Sequence, residues 1–383
     1  MSLHIKSLSI ATAYITGRIL GLKQKRLNEV SAKTLKLSAS GSIKAINPLF
    51  KDSHLKRIRG ASSYGPEQVI KNDLCRKVFE FKEVNGYWLK GVTLLDGSLY
   101  ATRYRHELRN IYERSRLGMN INLDVKEVQE AGLVSTCAGS TWWGHWVEDE
   151  APLQMLVERF SSPLAFNRKQ YRDENLYRQI FGLKEPMRLD SSYLHNLILI
   201  DEFAQNPNKT KRYKAIRERV QVLPKGYERI YLRRGNTGAA RILVNEDDVM
   251  FRLNSLGFIE VDVEKLTAAE IVDRCNGAAV VVSVEGSHLA PLLYLTKNQG
   301  LLIILNPPYQ VHTTVADIGV FCGISSAMFI CEPEGDSRTH FYADPVELVE
   351  FVEDAIAFGN KSASRLERFV EEVIDMDTSS IVF

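Results

Sequence analysis

VVVSVEGSHLAPLLYL, residues 280–295, decides the fold. An unbroken β-branched run stops at Glu285-Gly286-Ser287-His288 and passes straight into an apolar pattern of helical spacing. A strand buried on both faces reads this way, and such strands belong to parallel sheets covered by helices. In open sheets of that kind, ligands bind beyond the carboxyl ends of the strands, and the helix that follows offers free N–H groups to an anion. Upstream lie Arg233, Arg234 and Arg241. Arginine holds phosphate bidentately and keeps its charge at any working pH. Turn and arginines together predict a site for a phosphate-bearing ligand.

The alternation extends outward from this stretch. RIYLRR (229–234) reads as a strand, and Asn245 is placed to cap a helix EDDVMFRLNSL (246–256) that Gly257 closes. FIEVDV (258–263) is a strand, and Thr267 with Glu270 forms a capping box opening the helix AAEIVDRC (268–275). After AAVVVSV (278–284) and a helix GSHLAPLLYL (286–295) come the strand LLIIL (301–305), the helix TVADIGVF (314–321) and the strand SAMFIC (326–331). Two helical stretches, 345–359 and 362–375, close the chain. Such repetition predicts a Rossmann-like domain. In the first half, residues 77–105 read as short strands turned at Asn85-Gly86 and Asp96-Gly97. A helical pattern follows around 141–160, and SSYLHNLILIDEF (191–203) ends in a buried strand. The charged, turn-rich QNPNKTKRYKAIRERV (205–220) reads as a domain boundary.

The chain of 383 residues, 45% hydrophobic and 25% charged, is long enough for two cores. No run of about 18 apolar residues occurs, against a spanning helix. The five cysteines are scattered and form no C-x-x-C, which disfavours a disulfide scaffold or zinc ribbon and fits a reducing cytoplasm. Residues 1–60 hold twelve Lys/Arg against Glu29 and Asp52, leaving the remainder net acidic. This segment reads as a basic extension, either solvated or suited to peripheral contact with an anionic membrane. It lacks the aromatic interleaving that nucleic acid stacking needs.

The familiar nucleotide motifs are missing: there is no P-loop, no G-x-G-x-x-G after a strand and no G-x-S-x-G. The only D-x-D, Asp375-Met376-Asp377, lies outside the sheet pattern and reads as tail rather than as a metal-diphosphate site. At the 285 turn, Ser287 and the backbone N–H groups suit phosphate or ribose, Gly286 permits close approach, and Glu285 accepts from sugar hydroxyls. His288 is either a phosphate donor or a satisfied histidine on a half-buried helix. A second chemical cluster is GSTWWGHWVEDEAP (139–152). His145 and Asp149, four apart, share a helix face, so the carboxylate can orient the imidazole as a general base. Glu148–Glu150 also suit the first turn of a helix through its dipole.

These blocks resemble the family 61 glycosyltransferases, which include bacterial capsular polysaccharide biosynthesis proteins. GHWVEDEAPLQML is similar to that family's H-W-x-x-[ED]-x-x-P block, with His145, Trp146, Asp149 and Pro152 on its positions. Residues 229–295 are similar to its strand-Arg, Arg-x-x-x-Asn, G-F and terminal glycine-rich blocks, and YWLKGVTLLDGSLY adds a weaker match. The chain departs at Glu285-Gly286-Ser287-His288, where many members have His-Gly-Ala-Gly. The resemblance implies an α/β protein of GT-B type, with two Rossmann-like domains facing a cleft. Its expected parts are a basic extension (1–60), an acceptor-side domain (61–215), a nucleotide-sugar domain (216–345) and C-terminal helices packing back (346–383). It also implies inversion without a metal or any cofactor beyond the nucleotide-sugar donor, on a saccharide acceptor. Arg233, Arg234 and Arg241 would hold the diphosphate, the 285–288 turn the nucleotide or sugar. His145, steered by Asp149, would be the base, with Glu148, Asp149 or Glu285 as alternatives. The expected setting is surface or capsular polysaccharide biosynthesis in the cytoplasm, at the inner face of the membrane. The Glu285 departure carries the competing expectation of an inactive nucleotide-sugar-binding scaffold.

Overall fold

The computed structural model describes residues 2–59, 67–110, 125–236, 238–377, 379, 381 and 383. Two compact units emerge: Met1–Ser40 with Phe81–Arg212 and Asp377–Phe383, and Gly41–Glu80 with Tyr213–Met376.

The first unit is built on strands β1 (Ser31–Ser38), β2 (Val84–Leu95), β3 (Ser98–Ala101), β4 (Tyr104–Glu107), β5 (Lys126–Leu133), β6 (Pro163–Phe166), β7 (Met187–Leu189) and β8 (Ser191–Asp201). Their order is β4-β3-β2-β8-β5-β6-β7, with β1 also paired to β2. β2 runs antiparallel to β1, β3 and β8, whereas β5 is parallel to both β8 and β6. The expectation of a Rossmann-like first domain is corrected to a mixed sheet, because its short hairpins admit only antiparallel pairing. One predicted turn is present: Asp96 (φ 48) and Gly97 (φ 68) make the positive-φ pair that a two-residue hairpin needs. The other is absent. Asn85 and Gly86 lie inside β2, paired to Lys36 and Leu35 on one side and to Asp201 and Ile200 on the other. A Cβ at Gly86 would come 3.2 Å from Leu37 Cδ1, so glycine is there for close packing.

Strand β8 shows why this sheet is central. Leu197 and Leu199 enter one core cluster, while Ile198 and Ile200 enter the opposite one with Leu153, Leu156 and Val157. Residues 1–60 do not stand apart as an extension, since their described residues join both units. In helix α1 (Ser2–Ile19), Tyr14 packs edge-on against Tyr100 at 5.5 Å, β1 joins the sheet, and Gly41–Glu80 belongs to the second unit. The expected linker is also corrected: it forms the 15-residue helix α2 (Pro207–Gln221), whose Lys209, Arg212 and Arg217 are buried.

In the second unit, β9 (Arg229–Arg233), β10 (Ile259–Asp262), β11 (Val280–Val284), β12 (Leu301–Asn306) and β13 (Ser325–Ile330) form an all-parallel sheet, order β10-β9-β11-β12-β13. Helices α3 (Glu246–Asn254), α4 (Ala268–Cys275), α5 (Thr314–Phe321) and α6 (Pro345–Asp375) accompany it. The capping box is complete: Glu270 N donates to Thr267 Oγ1 (3.3 Å) and Thr267 N to Glu270 Oε2 (2.8 Å). Asn245 stands at the start of α3 but does not cap it; its amide exchanges bonds with Ala343 N and O. The stretch after β11 is not one helix but a 3-10 turn (Ser287–Leu289) and a single α-turn (Leu292–Leu295). Pro291, between them, has no N–H to continue the ladder. The two expected C-terminal helices are one, capped by Asp344, whose carboxylate accepts from Val346 N and Glu347 N at 2.9 Å. Among the described residues no helix is long and apolar enough to cross a membrane.

Each sheet has one place where strand order reverses about a central strand: β5 between β6 and β8, and β9 between β10 and β11. Loops leaving parallel strands diverge there, and in open sheets this is where a ligand crevice is expected, at the carboxyl ends.

Candidate active site

In the first unit the crevice is furnished by residues following β5 and β8. Past β5, the side chain of Thr136 accepts from Gly139 N, and Glu150 in turn takes bonds from the Thr136 N–H and hydroxyl. A Cβ at Gly139 would lie 2.3 Å from the Glu150 carboxyl carbon, so only glycine lets that carboxylate in. Short helical turns lead to His145, and Trp146–Glu150 then forms a π-turn closed by Ala151 N–H onto Trp146 O. Such one-residue expansions are common at functional sites.

His145 Nδ1 lies 2.7 Å from Asp149 Oδ2. The other oxygen of Asp149 accepts from Lys209 Nζ at 2.5 Å, and the same ammonium donates to Phe203 O at 3.2 Å. Lys209 is fully buried in the first turn of α2, just after β8. One turn on, Arg212 donates to Pro152 O (2.8 Å) and Glu202 Oε1 (2.5 Å). Helix α2 therefore grips the motif at its aspartate and its proline. With Asp149 as acceptor, Nδ1 carries the proton and Nε2 is left to accept one. Burial pushes the His145 pKa down, but the hydrogen bond and charge of Asp149, with Glu148 added, hold it above the ordinary value; Lys209 opposes them. Burial raises the Asp149 pKa, yet Lys209 and His145 keep it below the usual carboxylate range.

The donor atoms of His145, Glu148 and Asp149 lie within 4.8 Å of one another, spacing that could hold a metal ion. The Lys209 ammonium already supplies a cation to Asp149, however, and a metal would compete with it. Trp146 is core: it is 2% exposed, stacks on Trp143 at 5.1 Å and lies under Arg178. Asp377, of the D-x-D, accepts from Asn208 (3.1 Å) and pairs with Lys211 (3.0 Å), holding the C-terminal residues to the first unit.

The second crevice collects Arg234, Arg241 and the 285 turn. Arg241 Nη1 lies 2.6 Å from Glu285 Oε2, and its Nε donates to Gln310 Oε1 at 2.8 Å. Arg234 donates to Ala239 O at 2.5 Å. A Cβ on Gly286 would stand 2.8 Å from Arg234 Nε and 3.0 Å from His288 Nδ1, so glycine lets both side chains close over the turn. Ser283 Oγ donates to Leu232 O at 2.6 Å and must therefore accept from His288 Nε2, 2.8 Å away. His288 Nδ1 is then an acceptor, suited to a hydroxyl rather than to a phosphate. Burial, then Arg234 and Arg241, press the His288 pKa down to about 3, while burial and Arg241 press His312 to about 4. Burial and Arg241 likewise lower Arg234 to about 10, against the pull of Glu285. At neutral pH two guanidiniums thus face one carboxylate between neutral imidazoles. Arg233 does not join them. Its guanidinium pairs with Glu246 (3.1 Å), Asp247 (2.7 Å) and Glu260 (2.9 Å), which corrects its expected place among the phosphate holders. Alternation explains this, since successive strand residues face opposite ways.

Residues 143–302 match the family model described as Glycosyltransferase 61. That stretch is similar to the family 61 glycosyltransferases. No curated protein matches it. The family match spans less than half the chain but takes in both crevices, from two residues before His145 into β12. Of the residues expected to serve this glycosyltransferase, His145 and Asp149 meet in one unit, and Arg234, Arg241, Glu285, Gly286 and His288 in the other, with exposed Ser287 beside them. Sequence reasoning missed Lys209, Arg212, Gln310 and His312. The first two carried a signal in the cationic i, i+3 spacing of an unbroken helix; the last two carried none beyond following a buried strand.

Proposed function

We propose that this glycosyltransferase inverts the anomeric centre in one metal-independent displacement, moving a sugar from a nucleotide-sugar to a saccharide acceptor. His145 Nε2 takes the acceptor hydroxyl proton as that oxygen bonds to the anomeric carbon, and the carbon–oxygen bond to the diphosphate breaks. Arg234 and Arg241 take up the departing negative charge. Glu285 and His288 Nδ1 accept from hydroxyls of the ribose or donor sugar. The single observation that carries this reading is the His145–Asp149–Lys209 line, which fixes one imidazole nitrogen as donor and frees the other as base. Metal independence is supported by the Lys209 ammonium at Asp149. By resemblance, the product belongs to surface or capsular polysaccharide assembly, under a GT-B arrangement with the acceptor on the first unit and the donor on the second.

The test measures release of UDP, GDP or CMP from the corresponding sugar nucleotides, with and without acceptor saccharides. Acceptor-dependent release in metal-free buffer is expected. Tight binding with no release under any acceptor would favour the scaffold reading, which the Arg241–Glu285 pair supports by occupying a phosphate-holding cation.

The reading also includes peripheral contact with an anionic membrane at its cytoplasmic face. Its support is the run of exposed Ile19, Leu20 and Leu22 flanked by Arg18, Lys23, Lys25 and Arg26. Basic residues near such a surface contribute about 1 kcal/mol each. Cosedimentation with phosphatidylglycerol vesicles, but not with phosphatidylcholine vesicles, is expected, with loss in Leu20→Glu.

A further inference from the structure

Two large, exposed aromatic side chains stand beside His145. Trp142 is 38% exposed and its ring centroid lies 5.6 Å from the imidazole; Phe203 is 62% exposed and lies at the same distance. Burying such a side chain is favourable, and here much of that apolar surface is left in water. Neither ring sits on a loose tip. Trp142 joins the turn Cys137–Thr141 to the turn Trp143–His145, its N–H bonded to Ala138 O at 2.9 Å. Phe203 follows β8 by two residues, and its carbonyl accepts from the Lys209 ammonium that holds Asp149. The base and the second ring are therefore positioned by one buried cation.

We propose that Trp142 and Phe203 form the acceptor subsite, a pair of apolar walls against which a pyranose ring lays its C–H face. A sugar ring is apolar on its faces and polar at its rim. Walls of this kind hold the faces and leave a rim hydroxyl to a polar group beside both rings, as in ligand sites lined by aromatics with few polar groups. That group is His145. The inference rests on the proposed role of His145 as base, but its readout does not depend on turnover.

The full chain is titrated with maltose, lactose and cellobiose and followed by saturation-transfer NMR. Saturation of ring C–H protons is expected for at least one disaccharide. Trp142→Ala and Phe203→Ala should each weaken it about tenfold or more, and Phe203→Trp should restore it. His145→Ala should keep disaccharide binding while losing transfer, so failure of the base and failure of the platform are read separately. The proposal is overturned if none of the three sugars binds, or if either alanine variant binds like the parent with an unchanged Tm. It is overturned equally if the alanine variants lose UDP, GDP or CMP instead, which would make the rings a nucleobase platform.

Discussion

In the first unit every buried cation of the crevice faces a carboxylate: Lys209 meets Asp149 and Arg212 meets Glu202. In the second, Arg241 pairs with Glu285, Arg234 stands beside them, and both nearby imidazoles are kept neutral. Both crevices arise at the same kind of strand reversal, so the sheet does not decide what each can hold. The balance of charge does. A neutralised crevice can fix a proton's position, whereas one in which two guanidiniums gather suits the anion proposed for it.

The largest expected effect falls on the proton site. His145→Ala should lower turnover by about 10²–10⁴-fold while thermal shifts with UDP, GDP and CMP stay as in the parent. Turnover within about tenfold would move the base to Glu148, Asp149 or Glu285. Next comes the anion site. Arg241→Ala, which removes a charged hydrogen-bonding group, should weaken nucleoside diphosphate binding by about 10–100-fold. Arg233→Ala should leave that affinity within about twofold and lower Tm instead, because Arg233 answers only to its own carboxylates. Equal losses in both variants would collapse the distinction between them. Gly286→Ala should cost about 1 kcal/mol of nucleotide affinity by pushing on the Arg234 guanidinium, read by calorimetry. The finest effect is one of pH. The base works unprotonated, so activity rises with pH through the His145 pKa, which Asp149 holds above the ordinary histidine value against the effect of burial. Asp149→Asn removes that support, so the acid limb of the pH–rate profile should move to lower pH while the plateau falls. An unmoved limb would show that it belongs to another group.

Much of the second unit was legible because its signals are local: β-branched runs, the Thr267–Glu270 box and the uninterrupted TVADIGVF helix all lie within one element. The His145–Asp149 pair was legible for the same reason, being one helical turn apart. What escaped depends on distant partners. Asn85-Gly86 looks like a turn until β1 and β8 pair with it from both sides. Asn245 looks like a cap until Ala343, almost a hundred residues later, takes its amide. Arg233 looks free until α3 and β10 bring three carboxylates to it. Helix α2 is the sharpest case. Its lysines and arginines have the composition of a solvated linker, and only the positions of Asp149, Pro152 and Glu202 make Lys209 and Arg212 interior groups.

The π-turn at Trp146–Glu150 sets a limit on how this segment tolerates change in length. Deleting one residue there would let the backbone relax to an ordinary α-helix, and each residue of such a helix turns the chain by about 100°. His145 and Asp149 would then stand three or four apart on an α-helix and would still share a face, in phase with the stretch that Arg212 clamps at Pro152. The π-turn already absorbs one extra residue, so a deletion here restores helical phase, whereas a further insertion would add a rotation that side-chain substitutions on either side cannot undo.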